Sequence, residues 1–155
     1  MPKPIKPSLH NNIITHPAHY IEGRTIEPIR VIEEFCLCHH LACVVKYIAR
    51  AGRKTSAIKD LLKAEWYLNR ELQRCRTGIN SCLSPLNTKP PFSTQEILED
   101  WRLVPHLDAA FSYILAARLG TNKNCSHKDI KNHISSLTKA MGFLQLAISQ
   151  QEQGE

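Results

Sequence analysis

Glycine is scarce here, and what there is lies scattered. The six glycines, Gly23, Gly52, Gly78, Gly120, Gly142 and Gly154, stand too far apart to form the G-x-x-x-x-G-K-[ST] loop that cradles phosphates. No apolar run approaches the roughly 18 residues of a membrane span. The opening residues, Met1-Pro2-Lys3-Pro4-Ile5-Lys6-Pro7-Ser8, lack the apolar stretch of a secretory signal. These absences lead to the expectation of a cytoplasmic protein without a membrane partner, whose thiols stay reduced. The six cysteines, Cys36, Cys38, Cys43, Cys75, Cys82 and Cys125, form no C-x-x-C pair and no repeated spacing. A disulfide framework or a zinc knuckle is therefore not expected. Cys36-Leu37-Cys38-His39-His40 does crowd four soft ligands together, but a closed metal site draws on two separated pairs. The segment reads instead as a helix end and turn with small buried thiols, and no metal ligand is assigned.

What is present is an ordinary globular complement of apolar residues, 43% of the chain, and a net charge of +6. The charge is unevenly spread. Residues 22–76 carry 11 Lys/Arg against 7 Asp/Glu, whereas residues 93–155 carry 6 against 7. An anionic partner is steered to the first half.

Residues 1–18, rich in Pro, Lys and Asn, read as an extended, flexible lead-in. A helical pattern follows. Pro28 suits the first turn of a helix whose Ile29, Ile32 and Phe35 recur at helical spacing. A second helix is expected over about Leu41–Ala51, stopped by Gly52, and a third over about Ser56–Arg74 with the stripe Ile58, Leu61, Leu62, Ala64, Leu68, Leu72. Turn formers and prolines across 77–92 mark a linker. The pattern then returns over 93–150. Residues 96–107 align without a gap on 30–41; Tyr113-Ile114 matches Tyr47-Ile48; Lys139-Ala140 and Phe143-Leu144 match Lys63-Ala64 and Tyr67-Leu68. The offset grows from 66 to 76, which places a longer loop in the second copy around Gly120–His127. The expected fold is all-α, two tandem three-helix units (19–76 and 93–150) packed as a pseudo-dimer.

His19-Tyr20, Ile26-Glu27-Pro28-Ile29, Val45 through Lys54 (VKYIARAGRK), Asp60-Leu61, Lys63-Ala64 and Trp66-Tyr67-Leu68 resemble the SaV-like family of small phage and prophage proteins, described as including a phage nucleotide kinase. The likeness covers about residues 16–74. It implies nucleotide chemistry for the first half. The family carries Gly-Asn before its V-I-K-Y-I stretch where this chain has Ala42-Cys43, and the second half departs further.

Lys46, Arg50, Arg53 and Lys54 fall at i, i+4, i+7 and i+8, one face of the second helix running into its end. Such a face suits a polyphosphate, Arg offering bidentate contacts and Lys a point charge; it also suits a solvated basic surface at a helix C-terminus. On the third helix Asp60, Lys63, Tyr67 and Arg70 lie opposite the apolar stripe. Asp60 is a candidate to hold Mg²⁺ or orient an attacking phosphate, Lys63 and Arg70 to neutralise charge, and Tyr67 or Trp66 to stack on a base; an Asp60–Lys63 surface pair is the structural alternative. Glu27 is either a first-turn residue or a catalytic carboxylate. His19 and Tyr20 join the candidate set through the family motif. In the second half Lys46 becomes Ser112, Asp60 becomes Ser136 and Tyr67 becomes Phe143, so the polar positions are lost while the core positions survive.

The expected function is nucleotide kinase-like: a basic helical face binds nucleotide phosphates and supports phosphoryl transfer to a nucleoside monophosphate, with Mg²⁺ if enzymatic. The alternative is a non-catalytic nucleotide or nucleic-acid binder. Self-association is a further possible partnership. A pyrophosphohydrolase is disfavoured, because Glu27, Glu33, Glu34 and Asp60 make no obvious cluster.

Overall fold

The computed structural model describes residues 14–78, 86–121 and 126–154, and among them every regular element is a helix. The all-α expectation holds. The helices are α1 (Ala18–Ile21), α2 (Pro28–Glu34), α3 (His39–Arg50), α4 (Ala57–Arg76), α5 (Thr94–Trp101), α6 (Pro105–Leu119) and α7 (His127–Gly154). Local chemistry sets several ends. Pro28 occupies the first turn of α2, where its missing N–H costs nothing. Gly52 adopts φ +75° just beyond α3, the left-handed geometry that ends a helix without a Cβ clash. Ser93 and Glu96 form a capping box at α5, and Ser126 and Asp129 make the same reciprocal bonds before α7.

The helices α3 and α4 pack together, as do α6 and α7, and the two pairs meet along α4 and α7. These two run antiparallel: Gln145 of α7 bonds Glu65 of α4 at one end, while His133 lies beside Glu71 and Cys75 at the other. One core spans both halves. Val44, Ile48, Leu61 and Leu68 from the first share it with Ile97, Phe111, Leu137 and Leu144 from the second, all essentially buried. Each such side chain contributes about 1.5–3 kcal/mol through removal from water.

Polar contacts pin the halves as well. The Asp100 carboxylate accepts from the Thr25 and Ile26 amides (2.8–3.0 Å) and the Thr25 hydroxyl (2.6 Å), while Trp101 Nε1 donates to the Ile26 carbonyl at 2.7 Å. Arg118, buried on α6, donates from Nε to the carbonyls of Phe35 (2.8 Å) and Cys36 (3.3 Å), closing the end of α2 from the other half.

Three expectations need correction. The flexible lead-in was drawn to residue 18, but residues 14–18 are part of the fold: His16 bonds Glu27 at 3.1 Å, and Ile14, Thr15 and Pro17 line a cleft against α2. Residues 1–13 of that segment lie outside the described residues. The linker was drawn to residue 92, yet Phe92 is buried on Phe35, with ring centroids 6.2 Å apart, and Arg30 sits over its ring. An aromatic at a loop's end is buried when a core ring is within reach. Residues 79–85 of the linker lie outside the described residues. Finally, Cys38 is disulfide-bonded, whereas Cys36, Cys43 and Cys75 are free thiols. Among the described residues no helix is long and apolar enough to cross a membrane.

Candidate functional site

Three cations converge on one ring. Lys46 Nζ lies 4.9 Å from the centre of the Tyr47 ring, Arg50 Cζ 4.9 Å and Lys63 Nζ 5.4 Å. The first two come from α3 and the third from α4, so the α3–α4 packing brings together charges the sequence separates. Tyr67 stacks on Tyr47 at 5.9 Å and 20°, which fixes the ring. A ring face is a favourable seat for a cation, which helps to hold like charges side by side.

Around this group stands a second tier. His19 faces Lys54, Arg50 and Arg53; burial, then these cations, hold its pKa below the usual imidazole value. The Tyr20 hydroxyl is within reach of the Arg50 guanidinium, and burial pushes its pKa up. Arg53 is exposed but engaged: its Nε donates to the His19 carbonyl at 3.0 Å and its Nη2 to the Glu22 carbonyl. It fastens α1 to the end of α3, leaving Lys46, Lys54 and Lys63 as the cations presented outward.

Asp60 has a different job from the one expected of it. It is fully buried, and Arg50 grips both oxygens, Nε to Oδ2 at 3.1 Å and Nη2 to Oδ1 at 2.6 Å. This fork holds the Arg50 guanidinium firmly in its charged form. A carboxylate so engaged cannot coordinate Mg²⁺ or orient a phosphate without breaking a buried pair. Glu27 precedes α2 and is engaged by His16. The two candidate acids thus have separate partners and do not fit a shared Mg²⁺ between them. Arg70 lies with Gln73, Arg74 and Thr77 toward the far end of α4, about 10 Å along the helix from Lys63. It is not part of the group. Tyr67 contacts the rings of His39, His40, Tyr47 and Trp66 and serves as a packing platform.

Beside the cations opens a cleft of about 230 Å³, walled by Pro28, Ile29 and Ile32 with Ile14 and Pro17, and edged by Tyr20, Glu27 and Lys46. It is mostly apolar and adjoins the basic face through Lys46 and Tyr20. Neither this cleft nor the central place of Tyr47 was foreseen from sequence. The position of Tyr47, flanked by Lys46 and Arg50 on a helix, was the available signal.

The second half repeats the scaffold without the charge. Tyr113 stacks on Phe143 at 5.8 Å and 13°, and His106 lies 6.4 Å from Phe143 as His40 lies 6.2 Å from Tyr67. Lys139 reaches over Tyr113 at 5.5 Å, as Lys63 does over Tyr47. In place of the Arg50–Asp60 pair, Ala116 and Ser136 line a cavity of about 40 Å³.

A family model described as a protein of unknown function, DUF3310, matches residues 14–69. That span holds α1 to α3, most of α4, and every member of the basic group. No curated protein and no solved structure matches the chain.

Proposed function

We propose that the first half binds the phosphates of a nucleotide on the face formed by Lys46, Arg50, Lys54 and Lys63, with the base directed into the apolar cleft beside Tyr20. The observation that carries this reading is the convergence of three cations on the Tyr47 ring, next to a cleft with apolar walls. The cations gather about one point instead of tracking along a groove, which suits a short polyphosphate better than a nucleic-acid strand. In the same reading the second half is a degenerate copy that packs against the first as an internal partner.

Binding is the part of the reading that the geometry favours, because Asp60 is consumed by Arg50. Phosphoryl transfer to a nucleoside monophosphate is the activity that the SaV-like resemblance adds. Here Lys46 and Lys63 would offset charge on the transferred group, and Arg50, held in place by Asp60, would add its positive charge and its Nη1 donors. Asp60 and Glu27, each with its own partner, do not fit a protein-held Mg²⁺.

Titration of the full chain with a nucleoside and its mono-, di- and triphosphates tests the binding reading. Affinity should rise with phosphate number and fall with salt. Equal affinity for nucleoside and nucleotide would overturn it. Incubating a nucleoside monophosphate and triphosphate together with Mg²⁺, followed by product analysis, separates kinase from binder: diphosphate formation that Lys46→Ala abolishes supports transfer.

A further inference from the structure

A second polar cluster lies away from this face, inside the seam between the halves. Glu71 and Cys75 of α4 and His133 of α7 each offer one ligand atom, and these atoms lie within 4.8 Å of one another. All three residues are buried, at 0%, 3% and 3% exposure. Glu71 and Cys75 stand at i and i+4 and so share a helix face. His133 reaches them because α7 runs antiparallel to α4.

The histidine is the informative member. Its Nδ1 lies 3.0 Å from the Ala117 carbonyl, which can only accept, so this nitrogen carries the hydrogen. The Nε2 lone pair is left buried with no hydrogen-bond partner. A buried polar nitrogen with nothing to bond costs about 1–3 kcal/mol. An imidazole anchored through one nitrogen to a backbone carbonyl, its other nitrogen unpartnered, and grouped with a thiol and a carboxylate has the arrangement of a metal-ligating histidine. The outer partners are present too. His40 Nδ1 bonds Glu71 Oε2 at 2.9 Å, leaving Oε1, 3.7 Å from Cys75 Sγ, as the inward oxygen.

We infer that Glu71, Cys75 and His133 form a buried site for a divalent transition-metal ion, Zn²⁺ foremost, which ties α4 of the first half to α7 of the second. Tetrahedral coordination with bonds of about 2.0–2.3 Å brings ligand atoms to roughly 3.4–3.8 Å from one another. The cluster needs a contraction of about an ångström, within the reach of side-chain rotation. On binding, Cys75 releases its thiol proton to solvent and ligates as thiolate; Glu71 binds through Oε1 and His133 through Nε2. One thiolate and one carboxylate balance the two charges of the ion. The sulfur and nitrogen donors select against Mg²⁺ and Ca²⁺, which take oxygen. Sequence reading missed this site because its members lie about 60 positions apart. In the Cys36–His40 segment, which crowds soft ligands in sequence, Cys38 is disulfide-bonded and His39 lies beside Cys43.

Co²⁺ added to the full-length protein with its Cys38 disulfide intact is the probe. The expected result is a 1:1 complex with a thiolate-to-cobalt band in the near ultraviolet and visible bands of tetrahedral strength, displaced by Zn²⁺. Cys43→Ser should keep the spectrum, Cys75→Ser should lose the charge-transfer band, and His133→Gln should weaken binding by at least tenfold. Absence of the band in the wild type overturns the inference, as does its survival in Cys75→Ser. Should the variants fail to fold, the wild type decides alone: Zn²⁺ must raise its melting temperature where Mg²⁺ does not, and no shift overturns the site.

Discussion

Tyr47 and Tyr113 hold matching places in the two halves, each stacked on an aromatic ring and each approached by one lysine of the following helix. Around Tyr47 its own helix adds Lys46 and Arg50, and a buried Asp60 from the following helix locks the arginine. Around Tyr113 the corresponding positions are Ser112, Ala116 and Ser136. The difference teaches that aromatic stacking recurs in both halves, whereas the cationic face stands on the first alone. Apolar packing positions are constrained by the common core, and exposed charges are not.

The largest effect expected from disturbing this contrast is on stability. Arg50→Ala strips the buried Asp60 of its partner and should cost about 3 kcal/mol, measured by urea unfolding. Ala116→Ser, at the matching position, should change stability by less than about 0.5 kcal/mol. Equal costs at the two positions would mean that the pair carries no special weight.

Next in size is the ligand response. Lys46→Ala combined with Lys63→Ala leaves the buried pair alone and should weaken nucleotide binding by more than about tenfold, or about 1.4 kcal/mol. Lys139→Ala should leave the titration unchanged. Similar losses in both would place the site between the halves instead of on the first.

The contrast can also be sharpened by rebuilding the lost pair. Ala116→Arg with Ser136→Asp should show a favourable coupling of about 1 kcal/mol in a double-mutant cycle read by thermal unfolding. No coupling would show that the cavity between these positions does not correspond to the Arg50–Asp60 setting.

The smallest effect concerns pH. The pKa of His19 is lowered, chiefly by burial and then by Lys54 and Arg50, so the native chain takes up this proton less readily than the unfolded one. Its contribution to stability is intact above pH about 6.5 and is lost as pH falls toward the lowered native value. Protonation in that window adds a positive charge to the face. Relative to His19→Gln, the wild type should lose stability and gain nucleotide affinity by about twofold between pH 7 and 5.5, since each unit charge near the surface is worth about 1 kcal/mol or less. Parallel pH profiles for the two proteins would remove His19 from the site.

Helix content, the start at Pro28 and the stop at Gly52 were legible in the sequence because they follow from local rules: spacing of apolar residues and turn chemistry. The same spacing put Lys46, Arg50 and Lys54 on one side of a helix. It could not say which of them point outward. Arg53 looked equal to its neighbours, but its guanidinium is spent on the carbonyls of His19 and Glu22. Asp60 looked like a catalytic acid opposite the apolar stripe, and it is fully buried under Arg50. Local pattern fixes which residues share a face of one helix. The partners of a side chain depend on which second helix lies across from it, and that is settled only by packing. The Glu71–Cys75–His133 cluster and the cleft beside Tyr20 exist only because distant segments meet, and so does the seat of three cations on one tyrosine.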